Sequence, residues 1–148
     1  MLNLPRYDFE VRTRDGKHII LDPVRRRFVP LTPEEWVRQH FVQYLINDRD
    51  VPAALIALEM PFPYQDRYYR ADIVVHNRAT QPVLVAECKR PSVRVDQRAF
   101  DQIGIYNTVI QAAYLVITNG IDHYCCVVDH ERQTVEFLDE IPHFDLLV

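Results

Sequence analysis

At 148 residues, with 48% hydrophobic content, the chain fits one domain around a single well-filled core, and a second catalytic domain has no room. Seventeen basic against twenty-one acidic residues give a formal charge of -4, which excludes recruitment of nucleic acid by a global positive field and leaves that task to local patches. Only three glycines occur, and none opens a G-K-[ST] sequence, since Gly16 is followed by Lys17 and His18; Walker-type and dinucleotide-binding loops are excluded.

In chain order, YDFEVRT, the turn signal Asp15-Gly16, KHIILD and FVPL predict a small antiparallel meander over residues 1–30. The basic triplet Arg25, Arg26, Arg27 within it is expected to be solvated turn surface. Thr32-Pro33-Glu34-Glu35 supplies an N-cap, a proline at the first helical position and a Glu three residues after the cap, so a helix is predicted from there to about Asn47. Capping is the expected role of the Glu35 side chain. Val37, Phe41, Tyr44 and Leu45 form the core-facing stripe.

VPAALIALEM then predicts a strand with Glu59 near its end, followed by the strands YYRADIVVHN and PVLVAECK, whose apolar runs suit central, doubly covered positions. A helix is expected over 95–113, with Phe100, Ile103, Tyr106 or Asn107, and Ile110 facing the sheet. YLVITNG reads as another buried strand, and HYCCVVD and TVEFLDE as a hairpin turning at His130-Glu131-Arg132. Strand, helix, strand from PVLVAECK to YLVIT implies a parallel crossover, so the fold class is α/β with a mixed central sheet. No repeat, linker or low-complexity tract divides the chain, which is read as the meander packed on one compact unit over 31–148.

The N-terminal MLNLPRYDFE carries no signal-peptide pattern, and no apolar run approaches the eighteen residues of a membrane span; the expectation is a cytoplasmic protein without a membrane partner. Cys88, Cys125 and Cys126 lack C-x-x-C spacing and are expected as reduced, mostly buried thiols. The histidines contain no H-x-x-x-H, so a histidine metal site gains no support.

Chemistry concentrates in RADIVVHNRATQPVLVAECKRP. Glu87 and Lys89, two apart in a strand, leave one face, and pairing with the IVV strand brings Asp72 towards them. Converging carboxylates repel unless a cation lies between them, and Mg²⁺, or Mn²⁺ in its place, is held in this way by hard oxygen donors. Such a group suits phosphodiester hydrolysis, with Lys89 offsetting developing charge or orienting water.

Asp72, fourteen intervening residues, Glu87-Cys88-Lys89 and then Gln102-Ile103-Gly104-Ile105-Tyr106 resemble the PD-(D/E)xK nuclease superfamily in its RecB-like branch. With TPEEWVRQHFVQYL, RADIVV, VAECKRP, DQIGIYN and YLVITNG in that order, residues 30–148 are similar to the N-terminal nuclease domain of the type I restriction enzyme R subunit. The resemblance implies a restriction-endonuclease-like fold and a magnesium-dependent endonuclease acting on nucleic acid, DNA in the first place, in a restriction-modification setting. It also implies Asp72 and Glu87 as metal ligands and Lys89 as catalytic. Gln102 and Tyr106, one helical turn apart, would contact the substrate backbone or support the site. Ala71 stands where the family name has proline, and the helicase-like motor that follows this domain in restriction subunits has no counterpart in these residues. Activity is therefore expected to depend on a protein partner or on homo-oligomerisation. The alternative is a catalytically silent nucleic-acid-binding or regulatory module working with a separate motor.

A further acid could come from Glu34, Glu35 or Glu59, and the sequence does not choose among them. Arg90, Arg94 and Arg98 follow the E-x-K strand at four-residue spacing and would line a phosphate backbone if the helix begins early enough, Arg90 being the first substrate contact. Cys88 points to the opposite face from Glu87 and Lys89, towards the core.

Overall fold

The computed structural model describes residues 1–147; Val148, the last residue of the expected 31–148 unit, lies outside the described residues. β1 (Val11–Arg14), β2 (Lys17–Asp22) and β3 (Arg27–Pro30) form the predicted antiparallel meander. Its first turn is closed by Asp15 and Gly16 at φ 52° and 75°, the left-handed pair that a two-residue hairpin requires. Ile20, Asp22 and Val29 are its buried residues, so an acid shares the meander's inner face with two aliphatics.

α1 (Pro33–Asp48) starts as predicted, with Thr32 Oγ1 accepting the Glu35 amide at 3.0 Å. β4 (Ile56–Tyr64), β5 (Arg67–His76), β6 (Pro82–Cys88), β7 (Tyr114–Thr118), β8 (His123–Asp129) and β9 (Thr134–Leu138) make one six-stranded sheet in sequence order. Only β6 and β7 pair in parallel, joined by α2 (Gln97–Ile110). α3 (Phe144–Leu147) closes the described chain. The α/β mixed sheet expected from the apolar runs is the observed architecture.

Two layers of core flank the sheet. Val37, Phe41, Val42 and Leu45 of α1 pack with Ile73, Val75, Leu84 and Ala86 on one face. Ile103 and Ile110 of α2 pack with Val74, Val85, Leu115 and Ile117 on the other. The alternation along β5 and β6 follows from the two-residue side-chain period of a strand.

Two boundaries differ from the sequence reading. Residues Ala53–Leu55 form a 3-10 turn, and β4 begins only at Ile56 and runs on to Tyr64, so Glu59 lies in the middle of a strand and not near its end. β4 accommodates proline at 61 and 63 because it is an edge strand of the sheet, where a missing N–H costs no ladder bond. α2 begins at Gln97, capped by Asp96, later than the periodicity implied.

β4 and β5 also change faces together. Ile56 and Leu58 belong to the α1 side, whereas Met60, Phe62 and Tyr64, in the same two-residue phase, belong to the α2 side. On β5, Ile73 and Val75 lie on the α1 side and Tyr69 and Ala71 on the α2 side. Leu58 pairs with Ile73 and Met60 with Ala71, so the switch falls at Glu59 and Asp72, and Glu59 has φ 50°. Beyond it the β4–β5 hairpin leaves β6 and continues as a two-stranded arm.

Candidate active site

β6 pairs with β5 from Ile73 opposite Ala86 to His76 opposite Pro82. The ladder ends at Ile73 and Ala86, and Asp72 and Glu87 are the next residues on the two strands, at the fork where β5 departs with β4. They lie close enough that the Asp72 charge acts on Glu87. The Cys88 amide, without a strand partner there, donates to Asp72 Oδ2 at 2.8 Å. The Lys89 amide donates to Thr118 O at 2.8 Å, fixing the end of β6 against β7. Lys89 Nζ lies 3.7 Å from Glu87 Oε1. The structure thus brings Asp72, Glu87 and Lys89 to one sheet end, and their side chains keep 12%, 18% and 26% of their exposure, so the group opens to solvent.

Burial and mutual repulsion weigh on both acids. Glu87 is pushed up to about 8, first by burial and then by the Asp72 charge, with Lys89 opposing. Asp72 is also raised by burial, but the Cys88 N–H and Arg38 hold it back. Burial therefore raises both acids, and the cation beside Glu87 is Lys89. Two desolvated carboxylates facing each other across a fork, accessible from outside, are a hard-oxygen donor set that a divalent cation would relieve. Asp72 and Glu87 are the residues that could hold such a cation, through two carboxylates. Among the described residues no group of three or more His, Cys, Asp or Glu side chains is arranged to hold a metal.

The three further acids separate by environment. Glu34 is half-exposed, and its carboxyl is raised by burial and by Asp72 while Lys89 and Arg38 lower it, which puts it beside the pair. Glu59 is engaged by Arg38 at 3.1 Å and by Arg25 and Arg70 at 3.5 Å. Burial alone would raise it, but these guanidinium groups outweigh that and hold it below the usual range. The Glu35 side chain does not cap α1. It is buried, accepts from Arg25 Nη2 at 2.9 Å and Gln39 Nε2 at 3.1 Å, and only its amide takes part in the cap. α1 turns this residue inward towards the meander, where Arg25 offers an ion pair.

Arg25 likewise corrects the reading of its triplet. Its side chain is 13% exposed and reaches Asp22, Glu35 and Glu59, whereas Arg26 and Arg27 are exposed. Asp22, fully buried, also accepts the Val24 and Arg25 amides, which fixes the turn that aims Arg25 inward. The late start of α2 leaves Arg90 and Arg94 on the exposed loop before it, so Arg90, Arg94 and Arg98 do not share a helical face.

Gln102 Nε2 donates to Tyr106 Oη at 3.0 Å, one turn apart on α2. The Tyr106 ring packs on Phe62 and Tyr69 of the arm, with centroids 5.1 and 5.2 Å away. Asn107, not Tyr106, is the fully covered residue of that turn, bonded to the amide and carbonyl of Ala112. All three cysteines are free and buried, and burial holds the Cys88 thiol well above its usual range.

Arg38 was missed from sequence. It is 5% exposed and faces Glu34, Glu35, Glu59 and Asp72. The available signal was an arginine three residues before Phe41 and seven before Leu45, in step with buried positions of an amphipathic helix.

The type I restriction enzyme R protein N-terminus family matches residues 33–142. A solved fragment assigned as the HsdR subunit of a type I restriction enzyme from Vibrio vulnificus YJ016 superposes with a TM-score of 0.58 at 20% identity, covering 79% of this chain and 24% of that one. The chain therefore spans about a quarter of that protein's solved length. A crystal structure assigned as a DUF820 nuclease from Anabaena variabilis ATCC 29413 superposes with a TM-score of 0.48 at 16% identity, over 97% of this chain and 87% of that one. No curated protein matches.

Proposed function

We propose, for a chain that belongs to the type I restriction enzyme R protein N-terminus family, that Asp72, Glu87 and Lys89 hydrolyse phosphodiester bonds of nucleic acid, with DNA as the substrate. Family membership supports a nuclease-like role in restriction. The observation that carries the chemistry is the gathering of the three at the strand fork, with Asp72 bonded to the Cys88 amide beside Glu87 and Lys89 Nζ 3.7 Å from Glu87.

Each residue has a distinct task. Asp72 is held at a fixed angle by the Cys88 N–H and by Arg38, so it defines one wall of the site. Glu87, ionised once a cation offsets its charge, and Lys89 orient the attacking water. The carboxylate takes the water's proton as the new P–O bond forms, the P–O bond to the leaving oxygen breaks, and that oxygen is protonated from solvent. The Lys89 ammonium donates to the phosphoryl oxygen on which negative charge grows, a type of stabilisation that is strongest in the transition state. A Mg²⁺ or Mn²⁺ held by Asp72 and Glu87 would supply Lewis-acid polarisation of the scissile phosphate. Gln102, Tyr106 and Arg90 are assigned to the substrate backbone, which they reach from α2 and the loop before it. DNA recognition and translocation are assigned to other subunits or domains.

Nicking of supercoiled plasmid tests this reading. Wild-type protein is expected to nick in the presence of Mg²⁺ or Mn²⁺, and Lys89→Ala to lose nicking while still retarding DNA in a gel. Equal retardation by both proteins with no nicking by either would leave a binding module without turnover and overturn the hydrolytic reading.

A further inference from the structure

We propose that Arg38 and Arg25 are positioning residues for Asp72, forming a line of alternating charge that makes the N-terminal meander a working part of the site; this rests on the hydrolytic reading above. The line runs from buried Asp22 through Arg25 to Glu35 and Glu59, and from these through Arg38 to Asp72. Asp22 and Arg25 precede the family match, which begins at residue 33, so the segment outside that match supplies the far end of the line.

How Arg38 is held points to positioning as its role. Its Nη2 lies 3.6 Å from Asp72 Oδ1 and 3.7 Å from Glu34 Oε1, and its Nε lies 3.6 Å from Glu35 Oε2, all beyond hydrogen-bond range. Nη1 approaches Glu59 Oε1 at 3.1 Å, the closest of these contacts, and Nε and Nη1 are buried without a well-directed hydrogen bond. Charge balance among four acids, not a directed bond, fixes the guanidinium. Burial alone would weaken its hold on its proton, but Asp72, Glu35 and Glu59 more than offset this.

Arg25 sets that balance from the other side. Its three nitrogens each meet a different acid, Nε on Asp22, Nη2 on Glu35 and Nη1 on Glu59. With Arg25 neutralised, Glu35 and Glu59 draw Arg38 towards themselves and away from Asp72, which keeps the Cys88 N–H and the more distant charge of Lys89. Glu59 sits at the face switch opposite Asp72, so the same displacement acts on the backbone that presents the acid.

The test uses the full 148-residue chain carrying Arg25→Gln. Asp72 and Glu87 are untouched, so Mn²⁺ is expected still to raise the melting temperature, and the Mg²⁺ concentration for half-maximal nicking not to rise. The nicking rate at saturating Mg²⁺ is expected to fall about tenfold, the cost of a modest misplacement of a reacting group. A crystal structure of the variant is expected to show Arg38 withdrawn from Asp72. Arg38 unmoved in those crystals, a wild-type rate, or a parallel loss of Mn²⁺ stabilisation and rate would overturn the proposal. If Arg25→Gln does not fold, Glu59→Gln removes at a half-exposed position an acid that competes for Arg38, and its crystals are expected to show Arg38 drawn closer to Asp72; Arg38 unmoved there would overturn the proposal. Should the wild type nick nothing, the hydrolytic reading falls, and the place of Arg38 in the variant crystals still decides the line of charge.

Discussion

Glu87 is the residue whose environment contrasts most with its chemistry: a carboxyl buried beside another carboxyl, with one flexible ammonium for company. Its folded-state affinity for a proton exceeds that of the unfolded chain, so this site's contribution to stability is complete below the ordinary carboxylate range. It is lost as pH rises through about 8. Glu87→Gln should therefore melt higher than metal-free wild type at pH 8, the difference closing towards pH 4.5, near the reference carboxylate value. Melting curves of both proteins across that interval check it, and a constant offset would contradict it. Mn²⁺ should raise the melting temperature of wild type but not of Asp72→Ala, because only a ligand bound to the folded state stabilises it. Lys89→Ala should lower the nicking rate by about 10²-fold or more, the scale of losing one preorganised donor at a developing charge, with little change in melting temperature. Of these residues, Glu87 and Lys89 share a face by strand periodicity, which spacing alone supplies, whereas Asp72 sits at the face switch and joins them through the fold. Arg38 and Arg25 were not legible, because the partners that tie them to the site, Glu59 and Asp72 for Arg38 and Glu35 and Glu59 for Arg25, are distant in sequence.

Among the elements, α2 and the β4–β5 arm form the most informative pair. Tyr106 packs its ring on Phe62 and Tyr69 while its hydroxyl accepts from Gln102, so packing and polar roles fall on different atoms of one side chain. Tyr106→Phe should leave stability within about 0.5 kcal/mol, as expected of an exposed hydrogen bond, yet reduce nicking through loss of the hydroxyl proposed to contact the substrate backbone. Tyr106→Ala should cost about 2 kcal/mol or more through lost aromatic contact and buried area. Thermal melts and nicking rates of the two variants separate the roles. At α1, the cap residue Thr32 was legible because capping is local chemistry over three residues. The task of Glu35 was not, because two competing partners were open to it and the meander's Arg25 won. The 3-10 turn at Ala53–Leu55 and the late start of α2 follow the same pattern: apolar periodicity continues past the point where tertiary contacts end an element.

For the whole molecule, the meander and the N-terminal segment tie into the main sheet through polar and aromatic contacts. The Asn3 amide donates to Gly120 O at 2.7 Å, and Gly120 at φ 86° leaves no room for a side chain, since a Cβ would lie 2.7 Å from Leu2. Trp36 of α1 stacks against Phe9 and His40, with centroids 5.3 and 4.4 Å away, so its fluorescence reports on that docking. Urea unfolding followed by Trp36 fluorescence and by far-ultraviolet circular dichroism should give one coincident transition. An earlier fluorescence transition would make the meander a separate unit. No helix among the described residues is long and apolar enough to cross a membrane.

The order of strands and helices, the parallel crossover, the start of α1 and the acid, acid, lysine set were all determined by the sequence itself. Each depends on periodicities and caps that act within a few residues, and the D…ExK and Q-x-x-x-Y spacings made the family legible before any coordinates. Tertiary structure alone decided that Glu34 stands beside the pair, that Glu35 and Glu59 belong to arginines, and that β4 and β5 exchange faces at Glu59 and Asp72. Those outcomes depend on which distant charges meet in a desolvated space, where an unpaired ion is costly and its partner is chosen by geometry across the fold.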